Sequence, residues 1–456
     1  MSAPFFVLEA RSTLLFERTR TTMSTIYITG HRNPDLDSVC SAYGYAKLMN
    51  LQDPDNTYIP IRCGHLGNST KKILDHLQID IPGYKRDVYP KVRDVMMNSP
   101  YKIDADDKLT SVAAIYEKNN PSAIPVYDSG KFYGLLTVDD ITNWTMRELA
   151  KDSKITEIPS IRMIMSEQAP PIDAGELFDE GRAMLQGSAR RGLAVFEDGE
   201  YAGYVTRRCF LKCPKNNVIL VDHNEPHQSI RGIETANIVG IVDHHRLDAI
   251  KTDQPIFIDA EPLGSTCTIV YQLYIRNTRT PDPETAKVLL AGLVSDTLIL
   301  KSPTTTGNDV VAAHTLASLA GVNLEEFGLN MFSLVEDLKD RDPEAAIGAD
   351  FKTYIEKGIR IGIGQCEVTT LNDFDSYAAN YSDGLEAVRQ KSGLDWAVLM
   401  ITDVIHEHSA LICTDHKANK HLPYKPIGNN LYDMPQVMSR KKQLLPEIIH
   451  AVGDYT

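Results

Sequence analysis

The stretch Ile238-Val-Gly-Ile-Val-Asp243-His244-His245-Arg246 indicates both the fold of this chain and the position of its functional site. An apolar run rich in β-branched residues ends at an acid, and two imidazoles follow the acid. Such a run is typical of a strand buried on both faces of a parallel sheet. Because polar side chains do not fit inside such a strand, they lie beyond its carboxyl end, where open α/β sheets bind ligands.

The same pattern occurs at two other places in the chain. Ile26–Thr29 leads into Gly30–Asp37, and Val218–Val221 leads into Asp222–Asn224. One sheet edge then collects imidazoles and carboxylates without a thiolate, which favours Mg²⁺, Mn²⁺ or Co²⁺ over a structural zinc. These groups exceed the needs of one ion, so we predict a two-metal site. The candidate residues at this edge are His31, Asp35, Asp37, Asp222, His244 and His245.

Each strand end taken alone has a simpler interpretation, in which the acid caps a helix and the imidazole is a solvated loop residue. Three such ends in one chain favour the metal site. Asp296, at the end of the apolar helix predicted from Ala286, is a weaker candidate, because Ser-Asp-Thr often caps the next turn.

Composition limits the classes of function. A chain of 456 residues predicts two to four domains, and no apolar run approaches the length of a membrane span. The net charge of −14 argues against a nucleic-acid partner. Seven cysteines without a C-x-x-C pair predict reduced thiols and a cytoplasmic location. We predict that residues 1–23 are a disordered extension without signal-peptide features, with Met23 as an alternative start.

Residues from about Tyr89 to Leu211 contain two imperfect copies of a pattern of about sixty residues, with strand, helix, strand, strand order. This pair resembles tandem CBS (cystathionine-β-synthase-type) domains, and the resemblance implies that adenine nucleotides bind between the copies. The segments are Val92–Met96, Lys108–Tyr116, Ala123–Asp128 and Gly134–Ile141 in the first copy, and Arg162–Met165, Leu177–Leu185, Gly192–Glu197 and Gly203–Arg208 in the second.

A Gly-x-x-Thr-x-x-Asp pattern contacts ribose and phosphate in CBS domains, and Gly134, Thr137 and Asp140 match it. The second copy has Cys209 in place of the acid, so the resemblance implies one nucleotide per pair, or an off-centre one. The alternative is that Thr137 and Asp140 only cap the following helix. The predicted effector contacts are Lys102, Thr137, Asp140, Thr206 and Arg207.

The first pattern resumes at Val218, so the repeats are an insertion into a loop of one domain. Beyond the charged segment Glu336–Pro343, a separate α/β unit is predicted from the apolar runs Ile359–Val368, Trp396–Thr402 and Ser409–Cys413. Near its end, Ser439–Gln443 carries three cations on a predicted loop before a helix. This segment is either an anion-binding site beside a positive helix end or a solvated basic turn.

Together these motifs resemble family II inorganic pyrophosphatases of the DHH phosphoesterase superfamily. The resemblance covers nearly everything from residue 24 onward outside the insertion. With the insertion, the chain is similar to the CBS-domain-containing, nucleotide-regulated branch, in a short form with no extra domain between the copies. The motifs are His31-x-Asn-Pro-Asp35-x-Asp37, Val221-Asp222-His-Asn, Asp243-His244-His245-Arg246, Val294-Ser-Asp296-Thr and Ser439-Arg440-Lys441-Lys442-Gln443.

The resemblance implies an α/β fold, in which a tandem CBS pair interrupts a parallel-sheet DHH domain and a DHH-associated α/β domain follows. The predicted boundaries are 1–23 for the extension, 24–87 and 213–335 for the DHH domain, 88–150 and 151–212 for the CBS domains, 336–345 for a linker, and 346–456 for the C-terminal substrate-binding domain.

The resemblance also implies two protein-bound Mn²⁺ or Co²⁺ ions, with Mg²⁺ arriving with the substrate. A hydroxide held between the two ions attacks pyrophosphate and yields two phosphates. The implied ligands are His31 and Asp35 for one ion, Asp37, His244 and Asp296 for the other, and Asp222 as the bridge.

His245 is then the proton donor to the leaving phosphate. Lys352, Arg440 and Lys441 bind the phosphate ends from the C-terminal domain and act catalytically once the domains close.

The resemblance implies regulation as well, with AMP and ADP as inhibitors, ATP as an activator, and a homodimer formed through the CBS domains. Alternatives are an exopolyphosphatase, another phosphodiesterase of the superfamily that cleaves cyclic dinucleotides or single-stranded DNA ends, and a nucleotide-sensing scaffold. The Gly-Gly-Gly-His motif of the nuclease and cyclic-dinucleotide branches is absent from the sequence.

Overall fold

The structure is a computed structural model that describes residues 24–151, 157–249, 251–334, 338–368, 370–404 and 406–455. The predicted N-terminal extension lies outside the described residues. So do residues 152–156, near the start of the predicted second CBS domain, and residues 335–337, which span the predicted start of the domain linker at residue 336.

A parallel sheet of six strands forms the centre of the first domain, which confirms the predicted sheet type. Its strand order is β12-β11-β10-β1-β2-β3. The elements before the insertion are β1 Ser24–Thr29, α1 Leu36–Gln52, β2 Asn56–Arg62, α2 Asn68–His76 and β3 Gly83–Tyr84. Those after it are β10 Asn217–Val221, β11 Asn237–Asp243, β12 Phe257–Ala260, α7 Thr266–Arg276, α8 Pro283–Asp296, α9 Gly307–Ala320 and α10 Leu324–Ser333.

The register of this sheet brings the polar segments together. Thr29 pairs with Leu220, and Val221 pairs with Val242, so β1, β10 and β11 end at nearly the same level. Helices α1, α7 and α8 pack on one face, where the buried core includes Ile28. The residues that follow the three strands therefore meet at one edge, beside the N-terminus of α7 and the C-terminus of α8.

The insertion contains two small three-stranded sheets, one for each copy. The segments that open the copies, Val92–Met96 and Arg162–Met165, mostly form helical turns, and the first strand of each copy follows them. The elements are β4 Ile103–Asp104, α3 Leu109–Asn119, β5 Ile124–Asp128, β6 Lys131–Leu136 and α4 Val138–Ala150 in the first copy. The second has α5 Ile161–Ile164, β7 Ile172–Asp173, α6 Phe178–Gly187, β8 Gly192–Glu197 and β9 Glu200–Thr206.

The C-terminal domain is a mixed sheet of six strands in the order β13-β14-β15-β16-β18-β17. Its first, fifth and sixth strands along the chain were not predicted, because they are short and exposed at one or both faces. The elements are α11 Pro343–Ala349, β13 Phe351–Glu356, β14 Ile359–Val368, α12 Phe374–Lys391, β15 Trp396–Asp403, β16 His408–Cys413, β17 Lys425–Gly428, β18 Leu431–Pro435 and α13 Leu445–Tyr455.

Two segments near this domain differ from their predictions. The described part of the predicted linker is packed, since Leu338 is buried in the core of the C-terminal domain. The basic segment is not a loop, because Arg440–Leu444 forms a π-helical turn that continues into α13. Ser439 caps this turn by accepting a hydrogen bond from the backbone N–H of Lys442. The segment has no apolar periodicity, and sequence therefore placed the helix start too late.

The C-terminal domain is docked against the first domain. Arg341 Nη2 donates to Ser69 Oγ at 3.3 Å, and the side chain of Val404 is buried in the core of the first domain. All seven cysteines are free thiols, as predicted. Across the described ranges, no helix is both long enough and apolar enough to cross a bilayer.

Candidate active site

Three overlapping triads of metal-ligating side chains lie at the carboxyl edge of the parallel sheet. Within each triad, one ligand atom per residue lies within 4.8 Å of the others. Two triads meet at Asp222 and two at His244, so the groups form one cluster. The triads are His31, Asp35 and Asp222; Asp37, His244 and Asp296; and Asp222, His244 and His245. Every residue predicted to bind metal is thus in the cluster, although its role as a ligand stays a prediction.

Asp222 occupies the centre of this cluster. Its carboxylate oxygens lie 3.4 Å from His31 Nε2 and 3.5 Å from His244 Nε2. Its backbone is left-handed, with φ of 59°, because the chain turns as soon as β10 ends. Thr266 Oγ1, at the start of α7, donates to the same carboxylate at 3.1 Å. Asp222 can therefore face both halves of the cluster at once.

Asp37 is held by the N-terminus of α7. Its carboxylate accepts hydrogen bonds from Ser265 Oγ at 2.6 Å and from the N–H groups of Thr266 at 2.7 Å and Cys267 at 3.0 Å. These donors, together with the positive helix end, stabilise a carboxylate that is only 1% exposed. The contact between this helix start and Asp37 was not predicted.

The orientation of His244 suits a metal ligand. Its Nδ1 is 3.0 Å from the backbone oxygen of Leu263, which makes this nitrogen the donor and leaves Nε2 unprotonated. Nε2 lies 3.4 Å from Asp296 Oδ2. Burial, followed by the neighbouring His245, lowers the pKa of His244 and favours the neutral ring that binds metal.

His245 has a different environment. Its Nδ1 lies 2.9 Å from Asp243 Oδ1, and Asn224 Nδ2 donates to the other oxygen of Asp243 at 2.6 Å. Burial disfavours the protonated ring, but the hydrogen bond to Asp243 and the charge of Asp222 outweigh it and raise the pKa of His245. A protonated ring that Asp243 holds at Nδ1 has Nε2–H free to donate.

The charges at this edge fit a divalent cation. Burial, followed by Asp37 and Asp35, raises the pKa of Asp222 to about 7. Burial and the charges of Asp37 and Asp222 also raise the pKa of Asp296 well above its usual range. So many buried carboxylates repel one another unless a positive charge compensates them. Oxygen and imidazole donors without a thiolate suit Mn²⁺ or Co²⁺.

The C-terminal domain contributes one cation, Lys441, near this cluster. Burial and the charge of Lys352 lower the pKa of Lys441, whereas the charges of Asp243 and Asp296 oppose this shift. Lys441 therefore lies within electrostatic range of both domains' site residues. Arg440 is mostly buried, and it binds Asp350 through Nη1 to the backbone oxygen at 2.8 Å and Nη2 to Oδ1 at 2.9 Å.

The chain turns sharply after Asp296. Leu298–Leu300 have φ values of 50°, 54° and 64°, in the left-handed region. This region costs an L-residue other than glycine roughly 1–2 kcal/mol. Ile299 N–H donates to Val294 O at 2.9 Å across the end of α8. Three such residues in succession persist only where the surrounding structure fixes them, and they concentrate at functional sites.

The predicted effector contacts lie in the insertion, and Asp140 there has internal partners. Arg190 binds its two oxygens at 2.9 and 3.0 Å, and Thr137 Oγ1 donates to it at 2.6 Å. This favours the helix-cap interpretation, since a ribose contact would require Arg190 to move. In the second copy Thr206 N–H donates to Cys209 Sγ at 3.3 Å, a weaker version of the same cap. Lys102 and Arg207 are exposed.

Several residues that support the site were not predicted. Some lie just before α7 or at its first residue. Others belong to the predicted metal-binding or substrate-binding motifs, in which only the expected ligands of metal or phosphate were assigned a role. The acid of Asp-His-His and the amide of Asp-His-Asn were visible in the sequence, but nothing local showed that they bind each other. The residues are Asn224, Asp243, Leu263, Ser265, Thr266 and Asp350.

Comparisons with known proteins agree with this architecture. The family model described as DHH family, N-terminal domain, matches residues 25–293, and the DHHA2 domain matches residues 329–451. A solved structure of a putative family II inorganic pyrophosphatase from Methanococcus jannaschii superposes with a TM-score of 0.57 and 23% identity. It covers 94% of this chain and 99% of that chain, and it supports the fold alone.

Curated relatives give the family. A manganese-dependent inorganic pyrophosphatase from Bacillus subtilis is 35% identical over 52% of this chain and 78% of its own length. A cobalt-dependent inorganic pyrophosphatase from Clostridium perfringens is 26% identical over 94% of this chain and 98% of its own length. The chain therefore belongs to the DHH family, among its manganese- or cobalt-dependent inorganic pyrophosphatases.

Proposed function

We propose that this protein hydrolyses inorganic pyrophosphate to two phosphates at the Asp222 cluster, and that adenine nucleotides bound to the inserted repeats control the rate. The observation that carries the catalytic part is the position of Asp222 in two triads, one with His31 and Asp35 and one with His244 and His245. His244 also belongs to the third triad, with Asp37 and Asp296. One carboxylate between two sets of ligands is what a two-metal site requires.

His31 and Asp35 would hold one ion, Asp37, His244 and Asp296 would hold the other, and Asp222, which lies between the two sets, would be a ligand of both. Bound Mn²⁺ or Co²⁺ supplies Lewis-acid activation of water at neutral pH and compensates the charge of the phosphoryl group. Asp37 is kept in place by α7, and His244 by Leu263, so both present fixed ligand atoms. Mg²⁺ enters with the substrate, because it retains waters and prefers phosphate oxygens.

His245 donates the proton to the leaving phosphate from Nε2, while Asp243 holds Nδ1. Asn224 keeps Asp243 in position through its second oxygen. A general acid needs its proton at working pH, and the raised pKa of His245 supplies this condition.

Lys352, Arg440 and Lys441 hold the phosphate ends across the cleft. Two nitrogens of Arg440, Nη1 and Nη2, bind Asp350, and these contacts orient the guanidinium. Charge from a second domain is placed correctly only when the domains are docked, so binding and closure are coupled.

The inserted repeats are proposed to regulate the hydrolytic activity by binding adenine nucleotides. A cavity of about 110 Å³ lies between the two copies, with aromatic walls from Phe132 and Phe196 and with Arg190 at its side. Aromatic rings stack on a purine, and an arginine binds phosphate. AMP, ADP and ATP are the proposed ligands, with AMP and ADP as inhibitors and ATP as an activator. The short form, a homodimer through the repeats and a cytoplasmic location also belong to this proposal.

Contacts connect the insertion to the cluster. Val88 N–H, in the host domain just before the insertion, donates to the backbone oxygen of Arg231 at 2.9 Å. Arg231 lies in the loop between β10 and β11. Two residues earlier in this loop, the backbone oxygen of Ser229 accepts a hydrogen bond from Arg32 Nη2 at 2.9 Å. Arg32 follows His31 directly. A shift of the insertion can therefore reach a proposed metal ligand through hydrogen-bonded backbone.

The catalytic proposal is tested by phosphate release from pyrophosphate, tripolyphosphate and a cyclic dinucleotide, with bound metal measured in parallel. We expect pyrophosphate to be hydrolysed fastest. Asp222→Asn should lower the rate by orders of magnitude and remove both ions, because it alters the shared ligand. Asp259→Asn is the matched control, since this acid lies in the same sheet but pairs with Arg276. Near-normal turnover of Asp222→Asn, or preference for another substrate, contradicts the proposal.

A further inference from the structure

The left-handed turn Leu298–Leu300 connects two parts of the molecule on which the proposed reaction depends. On its N-terminal side, Asp296 lies in the triad with Asp37 and His244. On its C-terminal side, the chain reaches the C-terminal domain at once. Lys301 Nζ donates to the backbone oxygen of Val404 at 3.3 Å.

A second contact with the C-terminal domain follows two residues later. Lys442 Nζ donates to the backbone oxygen of Pro303 at 3.1 Å. Lys442 belongs to the same helical turn as Arg440 and Lys441, the cations proposed to bind the phosphate ends. Only six residues of chain, 297–302, therefore separate Asp296 from Pro303, whose contact anchors this cationic turn.

The surroundings prevent the left-handed turn from relaxing. Ile299 is 9% exposed and packs against Gly328, where a Cβ atom would lie 2.9 Å from Ile299 Cγ1. Ser302 N–H donates to Thr297 O at 2.8 Å and closes the turn. The conformation is thus fixed although none of its three left-handed residues is a glycine.

We propose that the Leu298–Leu300 turn is a positioning element that fixes the distance between Asp296 and the Arg440–Lys441 cations while the domains are docked. A flexible connection would let Asp296 and the docking contacts move independently. A turn held in one conformation makes them move together. This inference rests on the proposed function for the roles of Asp296 and the cations, but not for the geometry of the turn.

Two substitutions of Leu300 separate conformation from packing. Leu300 has φ of 64° and is only partly buried. Asparagine tolerates this conformation but is polar, whereas valine keeps the apolar contact but is β-branched and disfavours it. We expect Leu300→Asn to keep KM and kcat within about 3-fold, and Leu300→Val to raise KM and lower kcat by about tenfold. The reverse order, or equal kinetics for the two variants, overturns the inference.

A control variant removes the effect of general destabilisation. Gln78 is exposed, has φ of 56° and lies at the end of α2, outside the cluster. Gln78→Val should lower the melting temperature and leave KM and kcat unchanged. If it changes the kinetics as Leu300→Val does, the effect of Leu300→Val is not specific and the inference fails.

Two further measurements test the two ends of the turn. The visible absorption of the Co²⁺-loaded protein without substrate should shift in Leu300→Val and not in Leu300→Asn, because it reports the ligand field at Asp296. This measurement decides the inference even if pyrophosphate is not the substrate. Adding Lys442→Met to Leu300→Val should cause little further loss, because both act through one contact. An unshifted spectrum or simply additive losses contradict the inference.

Discussion

Asp222 combines three unfavourable features in one residue. Its backbone is left-handed, its carboxylate is 2% exposed, and burial together with Asp37 and Asp35 raises its pKa to about 7. Each feature destabilises the protein by itself, and a bound divalent cation offsets the electrostatic part. These three features are consistent with the proposed role of Asp222 as a ligand of divalent cations.

The substitution His245→Gln distinguishes between two roles of His245, a general acid and a metal ligand. We expect the substitution to lower turnover by roughly 10²–10⁴-fold, the usual effect of a lost general acid, while bound metal stays unchanged. Turnover is measured by phosphate release and metal by elemental analysis of the purified protein. His244→Gln is the matched control and should lose metal as well as activity. Equal metal loss in both variants would place His245 among the ligands.

Asp350→Asn tests how Arg440 is oriented. The neutral amide keeps the shape of the side chain but weakens the ion pair with Arg440 Nη2. We expect KM for pyrophosphate to rise by several-fold with bound metal unaffected, because the guanidinium becomes free to leave its position. Asp373→Asn changes an exposed acid of the same domain that pairs with Lys339, and should leave the kinetics unchanged. An unchanged KM in Asp350→Asn would mean that Asp350 does not position Arg440.

The sequence identified the cluster because parallel strands place the residues that follow them at one edge. His31 and Asp222 could be grouped by that rule alone. The pairing of Asp243 with both His245 and Asn224 could not be predicted, because hydrogen bonds between loops depend on their tertiary conformation. Arg440 was predicted to bind phosphate, but its contact with Asp350 was not predicted, because Asp350 lies ninety residues earlier and shares no local pattern with it.

At the scale of elements, strands and helices were predicted correctly where the apolar residues formed a long continuous or periodic stretch. Sheet strands such as β11 and long helices such as α8 followed their patterns closely. The failures were short or polar elements. β17 is exposed along its length, and the π-helical turn that precedes α13 lies in a polar segment and is capped by Ser439. Local sequence carries little information about such elements, because tertiary contacts stabilise them.

The ion pair of Arg190 and Asp140 joins the two copies of the repeat. Substituting Arg190 tests the proposed nucleotide site, because this side chain also lines the cavity between the copies. Arg190→Ala should weaken binding of AMP and ATP by tenfold or more and lower the melting temperature, since it removes a cavity side chain and leaves a buried carboxylate with fewer partners. Binding is measured by calorimetry. Arg191→Ala is the matched control, because Arg191 is 75% exposed and pairs with Asp139. Equal nucleotide affinities in the two variants would place the site elsewhere.

At the scale of the whole molecule, the insertion begins and ends at one point of the host domain. Asn216 Nδ2, just after the insertion, donates to the backbone oxygen of Val88 at 3.0 Å. Val88 is itself buried in the core of the host domain with Val218 and Ile241. The host boundary thus includes Val88, one residue beyond the predicted end at 87. Adjacent chain ends explain how a complete second unit fits into the domain without opening its sheet.

Removing the insertion tests whether it regulates the site. The structure favours deleting residues 91–213 and joining the ends with a short Gly-Ser linker, so that Val88 and Asn216 keep their contact. We expect a folded protein that hydrolyses pyrophosphate at a rate unaffected by AMP or ATP, because the cluster and the cations of the C-terminal domain remain. In the intact chain, an allosteric coupling of about 1–3 kcal/mol would change activity roughly 5–150-fold. Both proteins are assayed with and without each nucleotide, and Arg190→Ala serves as an intact-length control. A deletion variant that still responds to AMP would show that the nucleotide acts outside the insertion.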